Sequence, residues 1–385
     1  MSDTFSTRTV CCTLRVDSVV DTALRETQAA FNAAASYCAS VAWEHGITNK
    51  NTLHHGVYGA TRAQFGLGAQ LACCARDQAA AAVRASRQHP NAPCPTFRPD
   101  SAIRYAARTY RLMARDHVSL NTVHGRVVAH LDLGDFQRRF LYDLTWAIGG
   151  ADVIRKRDTW YLCITQSKQV PDPDEPVGVI GCDVGIVHIV TTSDGDMFSG
   201  AQVDRVRHWY HTRRQRLQAV GTKSATRRLQ KTSGTERRFQ KDVNHRISNR
   251  RVAHATRERT ARAREALTHM RDRVTVQRSQ RRRCTSWAFH QVRQVVQYQA
   301  ALAGVRVIVV DPRTTSRTCA ACGYCDKHHR TSQSSFECRS CGHVAVADVN
   351  AARTSAYRAA VNPPMASALV GRGASCLLEL AVVDC

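Results

Sequence analysis

The chain of 385 residues lacks any apolar run near the ~20 residues that a membrane-spanning helix requires. Its first residues, MSDTFSTRTV, lack both the basic patch and the apolar stretch of a secretory leader, so an intracellular location is expected. Acids are scarce: 31 Asp and Glu stand against 55 Lys and Arg, a net charge of +24. Such an imbalance implies a polyanionic partner, nucleic acid before a membrane surface. The 16 cysteines lack the dense, regular spacing of a disulfide scaffold. Outside two CxxC pairs, residues such as Cys73, Cys74 and Cys163 read as small buried hydrophobes in a reducing compartment. Apolar content is ordinary, which excludes wholesale disorder, and the length allows two or three domains.

Residues 8–16 read as a strand. From Asp17 the period changes: Val20, Leu24, Phe31, Ala34, Cys38 and Val41 mark an amphipathic helix, N-capped at Asp17 or Ser18 and closed by Gly46. A further helix covers 69–86, and PNAPCP at 90–95 breaks it. Strand patterns return in 117–133, turning at His124–Gly125, and in 151–166, turning near Asp158. The expected arrangement is a β-domain over 1–17 and 95–170 with a helical insertion at 18–94. The Pro- and acid-rich VPDPDEPVG at 170–178 marks a domain boundary.

Residues 177–200 then read as a strand ending at Asp183, a second strand VHIVTT, a tight SDGD turn and a third strand MFSG. That succession is how an RNase H-like sheet begins. Between 201 and 285 the chain carries 25 Lys and Arg against 6 Asp and Glu. This stretch reads as two basic helices joined near Ser233–Gly234, a hairpin over 201–260. Too few acids are present for an ion-paired solvated face. Arg213, Arg214, Arg216, Lys223, Arg227, Arg228, Arg237 and Arg238 are therefore candidate nucleic-acid backbone contacts, with Trp209, Tyr210 and Phe239 available to stack or pack inward. A helix at 285–304 carries the stripe Ala288, Val292, Val295 and Val296 and ends at Gly304. A continuous apolar strand at 305–312 follows, and the last clear helix is 348–360. The tail at 361–385 has no clear period and is expected to be loosely ordered.

Cys319, Cys322, Cys338 and Cys341 have the spacing C-x2-C-x15-C-x2-C. Each CxxC turn aims two thiolates at one point, the pattern of a structural tetrahedral zinc site, here a ribbon over 313–345. Cys325, His328, His329 and His343 lie nearby, but four cysteines already fill the sphere. Directly after the ribbon comes Asp348, in ADVNAA. Taken singly, Asp183 is a turn residue and Asp348 a helix N-terminal acid. Taken together they suit hard divalent ions such as Mg²⁺, which a two-metal nuclease holds between three or four carboxylates.

The run GCDVGI, the stretch SWAFHQVRQVVQYQAALAGVRVIVVDPRTTSRTCAACG and FECRSCGHVAVADVNAA together resemble the TnpB family, transposon-associated RNA-guided DNA nucleases related to the type V CRISPR effectors. The likeness extends through DVNHRIS, FGLGAQLA and FRPDSAIRYAARTYRL, to about residue 358. It implies an α/β multidomain chain. A β-barrel wedge domain with a helical recognition insertion precedes a RuvC-type RNase H fold (177–312 and 346–360) that carries a zinc-ribbon insertion. It implies a guide RNA from the transposon end, cleavage of double-stranded target DNA beside a short flanking motif, structural Zn²⁺ and catalytic Mg²⁺. By position Asp183 matches the first catalytic aspartate, Asp348 the last and Glu265 the middle glutamate. The expected setting is the prokaryotic cytoplasm, on the nucleoid, with a monomer bound to RNA. One departure stands out: the strand bearing Glu265 reads Ala261-Arg262-Ala263-Arg264-Glu265 where the family has apolar residues. Two arginines in a central strand are costly unless they reach solvent or phosphate.

Three functions are thus to be separated. They are an Mg²⁺-dependent RNA-guided endonuclease, an RNA-guided DNA-binding repressor without cleavage, and a zinc-ribbon DNA-binding protein that needs no RNA. The basic helices and the carboxylate set favour the first.

Overall fold

The computed structural model describes residues 5–185, 187–265, 289–332 and 334–361. These fall into two compact units, broadly 7–168 and 169–361.

The first unit is a seven-stranded sheet with three helices inserted after its first strand. The strands are β1 (Phe5–Arg15), β2 (Ile103–Tyr105), β3 (Tyr110–Met113), β4 (His117–Thr122), β5 (Gly125–Asp132), β6 (Ala147–Lys156) and β7 (Thr159–Gln169), in the spatial order β2-β6-β7-β1-β5-β4-β3. The sheet curls into a near-barrel: the Tyr110 hydroxyl at one end donates to the Gly149 carbonyl in β6, 2.8 Å away. Alternate residues point inward and build a core from Val10, Leu14, Ile103, Leu120, Leu131, Trp160 and Leu162. The helices are α1 (Ser18–Glu44), α2 (Lys50–Phe65) and α3 (Ala69–Ser86). Asp17 caps α1, accepting a 2.8 Å bond from the Val20 amide. Where α1, α2 and α3 meet, Cys38, Ala42, Leu53, Val57, Ala79 and Val83 form a second core. A short helix α4 (Asp135–Leu141) links β5 to β6.

One cysteine expectation is corrected here. Cys11 of β1 and Cys163 of β7 are joined by a disulfide across neighbouring strands. Their separation of 152 residues hides the pairing from any reading of local spacing.

The second unit is built on a five-stranded sheet of β8 (Gly178–Asp183), β9 (His188–Thr192), β10 (Met197–Ser199), β11 (Thr260–Glu265) and β12 (Val307–Val310). Its order is β10-β9-β8-β11-β12. The first three strands form an antiparallel meander, and β11 and β12 run parallel to β8. That is an RNase H-like sheet. Between β10 and β11 run α5 (Ala201–Val220) and α6 (Lys223–Arg257), and α7 (Phe289–Leu302) leads to β12. The ribbon hairpin β13 (Ser335–Glu337) and β14 (Val344–Val346) leads into the last described helix, α8 (Ala347–Val361). The expected tail beyond Val361, and Ala288 in the stripe before α7, lie outside the described residues.

The basic hairpin turns at Gly221, not at Ser233–Gly234, which lie inside α6. Gly221 takes a left-handed φ of 67°, which costs glycine little, and Thr222 caps the next helix through the Ala225 amide. Gly234 has nothing to stop a helix and is carried through as part of one.

The sheet has two distinct faces. Cys182, Ile189 and Val190 meet Val203, Val243, Ile247, Val292 and Val296 of α5, α6 and α7. Ala261, Ile308 and Val310 meet Ala359 of α8. By the two-residue period of β11, Arg262 falls opposite Ala261, on the α6 side. It is 2 % exposed. One guanidinium nitrogen donates to the Arg251 carbonyl at 2.8 Å and meets His254 Nδ1 at 3.0 Å, but Nε and Nη1 have no partner among the described residues. Burial lowers the pKa of this group below its usual value. Arg262→Leu removes a buried, half-satisfied charge and fills the space with apolar carbon, and is expected to raise stability by about 1–3 kcal/mol. Urea unfolding reads this directly; a lower midpoint would show that the two bonds outweigh the desolvation.

Candidate active site and metal centre

Three segments end at one edge of the five-stranded sheet. Strands β8 and β11 are parallel and paired from Thr260↔Gly178 to Arg264↔Cys182. One step further places Glu265 level with Asp183, each the last residue of its strand. On its other side Glu265 pairs with Val310 of β12. The side chain of Glu265, and with it the expected approach to both aspartates, lies outside the described residues.

Helix α8 arrives at the same edge because of Gly181. A Cβ there would overlap the Ala352 carbonyl oxygen and lie 2.7 Å from the Ala356 amide nitrogen. Glycine alone lets the helix backbone rest directly on β8. Asp183 is two residues beyond Gly181, hence on the same face. Asp348 is one helical turn before Ala352, hence at the same end. The loop after Asp183 faces Asp348 closely: a Cβ at Gly185 would be 4.0 Å from Asp348 Oδ2. Beside this edge Thr191, paired across β9 with Asp183, has a buried hydroxyl without a partner among the described residues, as has His188 Nδ1. Two aspartates with spare oxygens, a glycine-lined gap and unspent polar atoms fit hydrated divalent ions.

The ribbon adds a group that sequence reasoning missed. Arg330 donates to Asp348 Oδ1 at 3.2 Å, and the Asp348 side chain is 17 % exposed. Nothing in the local run KHHRTS marks this arginine; only the fold brings it to the aspartate.

The four predicted zinc cysteines converge, their sulfurs all within 4.8 Å of one another. The Cys319–Cys341 and Cys322–Cys338 sulfur pairs are 3.8 and 3.6 Å apart. Burial disfavours a Cys338 thiolate, but the amides of Cys341 and Ser340 outweigh it and bring the thiol to about 6. The His343 amide favours a Cys341 thiolate, yet the sulfurs of Cys322, Cys338 and Cys319 push it up to about 12. Four sulfurs this crowded cannot all ionise without a cation, and a tetrahedral Zn²⁺ is the ion that donor set fits. His329 is buried inside the ribbon, stacked between Tyr324 and Phe336, with Nε2 4.0 Å from Cys338 Sγ. It lines the site while the four cysteines supply the ligands.

The ribbon and α8 are continuous: β14 ends at Val346 and the helix begins at Ala347, whose amide donates to the Ser334 carbonyl. Arg358 at the far end of α8 holds the carbonyls of Asp311 and Arg313.

Of the basic candidates, Arg216, Lys223, Arg227, Arg228 and Arg237 are exposed. Arg213 lies over the Trp209 ring at 4.9 Å. Arg214 is turned to Glu236 in an ion pair that ties α5 to α6, so part of its charge serves the hairpin itself. Arg238 is half-buried.

Comparison with known proteins agrees with this geometry. Residues 289–354 match a family described as Cas12f1-like, TNB domain, and residues 161–258 one described as a probable transposase. The chain is 29 % identical over 219 residues to a CRISPR-associated endodeoxyribonuclease Cas12f1 of Sulfoacidibacillus thermotolerans, covering 51 % of this chain and 50 % of that protein. It is 24 % identical over 241 residues to a putative RNA-guided DNA endonuclease InsQ of Escherichia coli K12, covering 57 % and 59 %. The chain spans about half the length of the curated relatives it matches. A cryo-EM structure of a Cas12f1–sgRNA–target DNA complex shares the fold, with a TM-score of 0.66 over 86 % of this chain and 82 % of that one at 13 % identity. Two family matches, the relatives and the fold define a type V effector. Within that class the chain belongs to the TnpB-like family.

Cys338→Ser is expected to lose stoichiometric zinc and to melt the ribbon, because in so small a module metal binding is folding free energy. Zinc content and a thermal melt are the readouts. A variant that keeps both at wild-type level would refute the knuckle.

Proposed function

We propose that this protein is an RNA-guided DNA endonuclease that cuts double-stranded target DNA by a two-metal mechanism at Asp183, Glu265 and Asp348. The observation that carries the reading is the meeting of β8, β11 and the N-terminus of α8 at one sheet edge. Three carboxylate positions from three remote stretches of chain have no structural need to meet there. Divalent ions bound between them supply an activated water and stabilise the leaving 3′ oxygen, at a spacing of about 3.5–4 Å. Asp183 and Asp348 hold those ions and fix the phosphate between them. Arg330 contributes a positive charge at the same edge, suited to a phosphate oxygen. Glycines at 181 and 185 keep the approach free of side chains.

The rest of the chain fits the assignment. The near-barrel acts as the wedge and α1–α3 as the recognition insertion. A pocket of about 620 Å³, lined by Tyr58, Arg62, Asn121 and Thr122, is the place we assign to the flanking motif. The exposed arginines of α5 and α6 follow the guide RNA, which comes from the transposon end. The active form is one chain with one RNA, in the cytoplasm and on the nucleoid. The arginines of β11 give a specific reason to keep a second reading, guided DNA binding without cleavage. Sequencing RNA that copurifies with the chain, then assaying cleavage of matching DNA with and without Mg²⁺, separates the two.

Asp183→Asn and Asp348→Asn are each expected to lower cleavage at least about a hundredfold, since even loss of a partner behind a ligand costs that much. Guide and target binding should persist in filter-binding assays. Cutting near the wild-type rate by either variant would remove the two-metal reading.

Reversing Arg216, Arg227 and Arg237 to Glu is expected to weaken RNA binding and to flatten the log–log salt dependence by about 2, from a slope of about 0.7 per lost contact. An unchanged slope would place those side chains away from the RNA.

A further inference from the structure

The zinc ribbon and the carboxylate edge meet through one buried amide. Asn350, 0 % exposed, stands two residues beyond Asp348 in the first turn of α8. Its Oδ1 accepts from the Ala320 amide at 3.0 Å, and its Nδ2 donates to the Thr318 carbonyl at 2.8 Å. These two backbone groups flank Cys319, so the amide clasps the first CxxC turn on both sides of a zinc ligand. Thr354, one turn on, adds a longer bond of 3.3 Å to the same carbonyl.

A helix's first turn has few internal bonds to hold it, because its leading amides have no partner within the helix. Asp348 sits in that turn. We propose that Asn350 is a positioning residue: it sets the Asp348 carboxylate by holding the start of α8 to the metal-closed Cys319–Cys322 turn. Zinc in the ribbon and divalent ions at the carboxylate edge are then coupled through this one side chain, and the coupling is reciprocal. The inference rests on the reading of Asp183, Glu265 and Asp348 as ion ligands.

The ribbon touches Asp348 by a second route, Arg330, but the two routes have opposite signs. Arg330 is a cation on an Asp348 oxygen and competes with a divalent ion for it. Opening the ribbon through that route frees Asp348 and tightens ion binding. Opening it through Asn350 lets the helix start drift and weakens ion binding.

A double-variant cycle on the full chain decides, with Mn²⁺ as the probe and free Mn²⁺ read by electron paramagnetic resonance. Zinc is assayed in parallel by colorimetric release. Asn350→Leu is expected to keep its zinc and to bind Mn²⁺ about tenfold more weakly, the size of effect seen when a partner behind a metal ligand is lost. Cys322→Ser is expected to lose zinc and to weaken Mn²⁺ by a similar factor. The double variant should be no weaker than Cys322→Ser alone. Multiplying factors in the double variant overturn the proposal, and so does tighter Mn²⁺ binding by Cys322→Ser, which assigns the coupling to Arg330. If circular dichroism shows Asn350→Leu unfolded, Asn350→Asp carries the cycle. It keeps the acceptor for Ala320 and loses the donor to Thr318, so a smaller loss is expected, again absent in the Cys322→Ser background. Wild-type chain that binds no Mn²⁺, or binds it unchanged after Asp183→Asn and Asp348→Asn together, removes the ion-site reading itself, a result distinct from additivity in the cycle.

Discussion

The carboxylate edge depends on a contact that contains no side chain, the seat of the α8 backbone on Gly181. Any Cβ at that point overlaps the Ala352 carbonyl, so the helix must lift away from β8. Asp183 and Asp348 are carried by the two elements in contact, and their separation is set by how closely those elements approach. Two ions held about 3.5–4 Å apart leave little slack. A displacement near 1 Å is enough to cost about a hundredfold in a reaction that relies on positioning. The smallest residue in β8 therefore does more for the geometry than any large one. The buried alanines of α8, Ala351, Ala352 and Ala359, serve the same close approach.

The two faces of the sheet carry different burdens. On the α8 side the strands bring acids together, an arrangement that repels itself until a cation enters. The strongly positive surroundings of this half of the chain lessen that repulsion at long range. On the α6 side the strands need apolar residues, and there β11 presents Arg262. Its guanidinium finds only backbone and a histidine ring, and two of its nitrogens find nothing among the described residues. The strand that brings Glu265 to the edge is thus the one whose local sequence fits its environment least. Inconsistency of this kind is expected next to functional sites, where stability is not the only demand.

Much of this could be read in the sequence where the physics is local. The CxxC pairs announced the knuckle, and the helix over 69–86 has the boundaries its period suggested. The turn near Asp158 uses positive φ at Arg157 and Asp158, and the Asp17 cap is where its side chain predicted. Helix α2 escaped notice because it buries only Leu53, Val57 and Thr61, one residue per turn, and carries two glycines. The Gly221 turn was displaced because Ser-Gly and Gly-Thr-Lys are equally plausible breaks, and only tertiary packing chooses. Cys11–Cys163, the Arg330–Asp348 pair and the Asn350 clasp join residues that no periodicity links. Asp183 and Asp348 themselves were legible only as a set, since either alone is an ordinary terminal acid.

The question of why a metal knuckle abuts a helix start then has a physical answer. The positive end of a helix dipole favours a carboxylate in its first turn, so Asp348 is well placed electrostatically. The same turn is the one most ready to fray. Something outside the helix must hold it, and the ribbon does so by running β14 straight into Ala347 and by clasping Asn350. The ribbon has almost no apolar core of its own: Cys319, Phe336, Cys338 and Ala347 are its buried cluster, and two of those are zinc ligands. So small a module is ordered by metal rather than by burial. The rigidity that fixes one catalytic carboxylate is therefore drawn from zinc–thiolate bonds, while that of Asp183 comes from a paired strand in the sheet. The two aspartates of one site are held by different physics, and only the one on the helix is answerable to zinc.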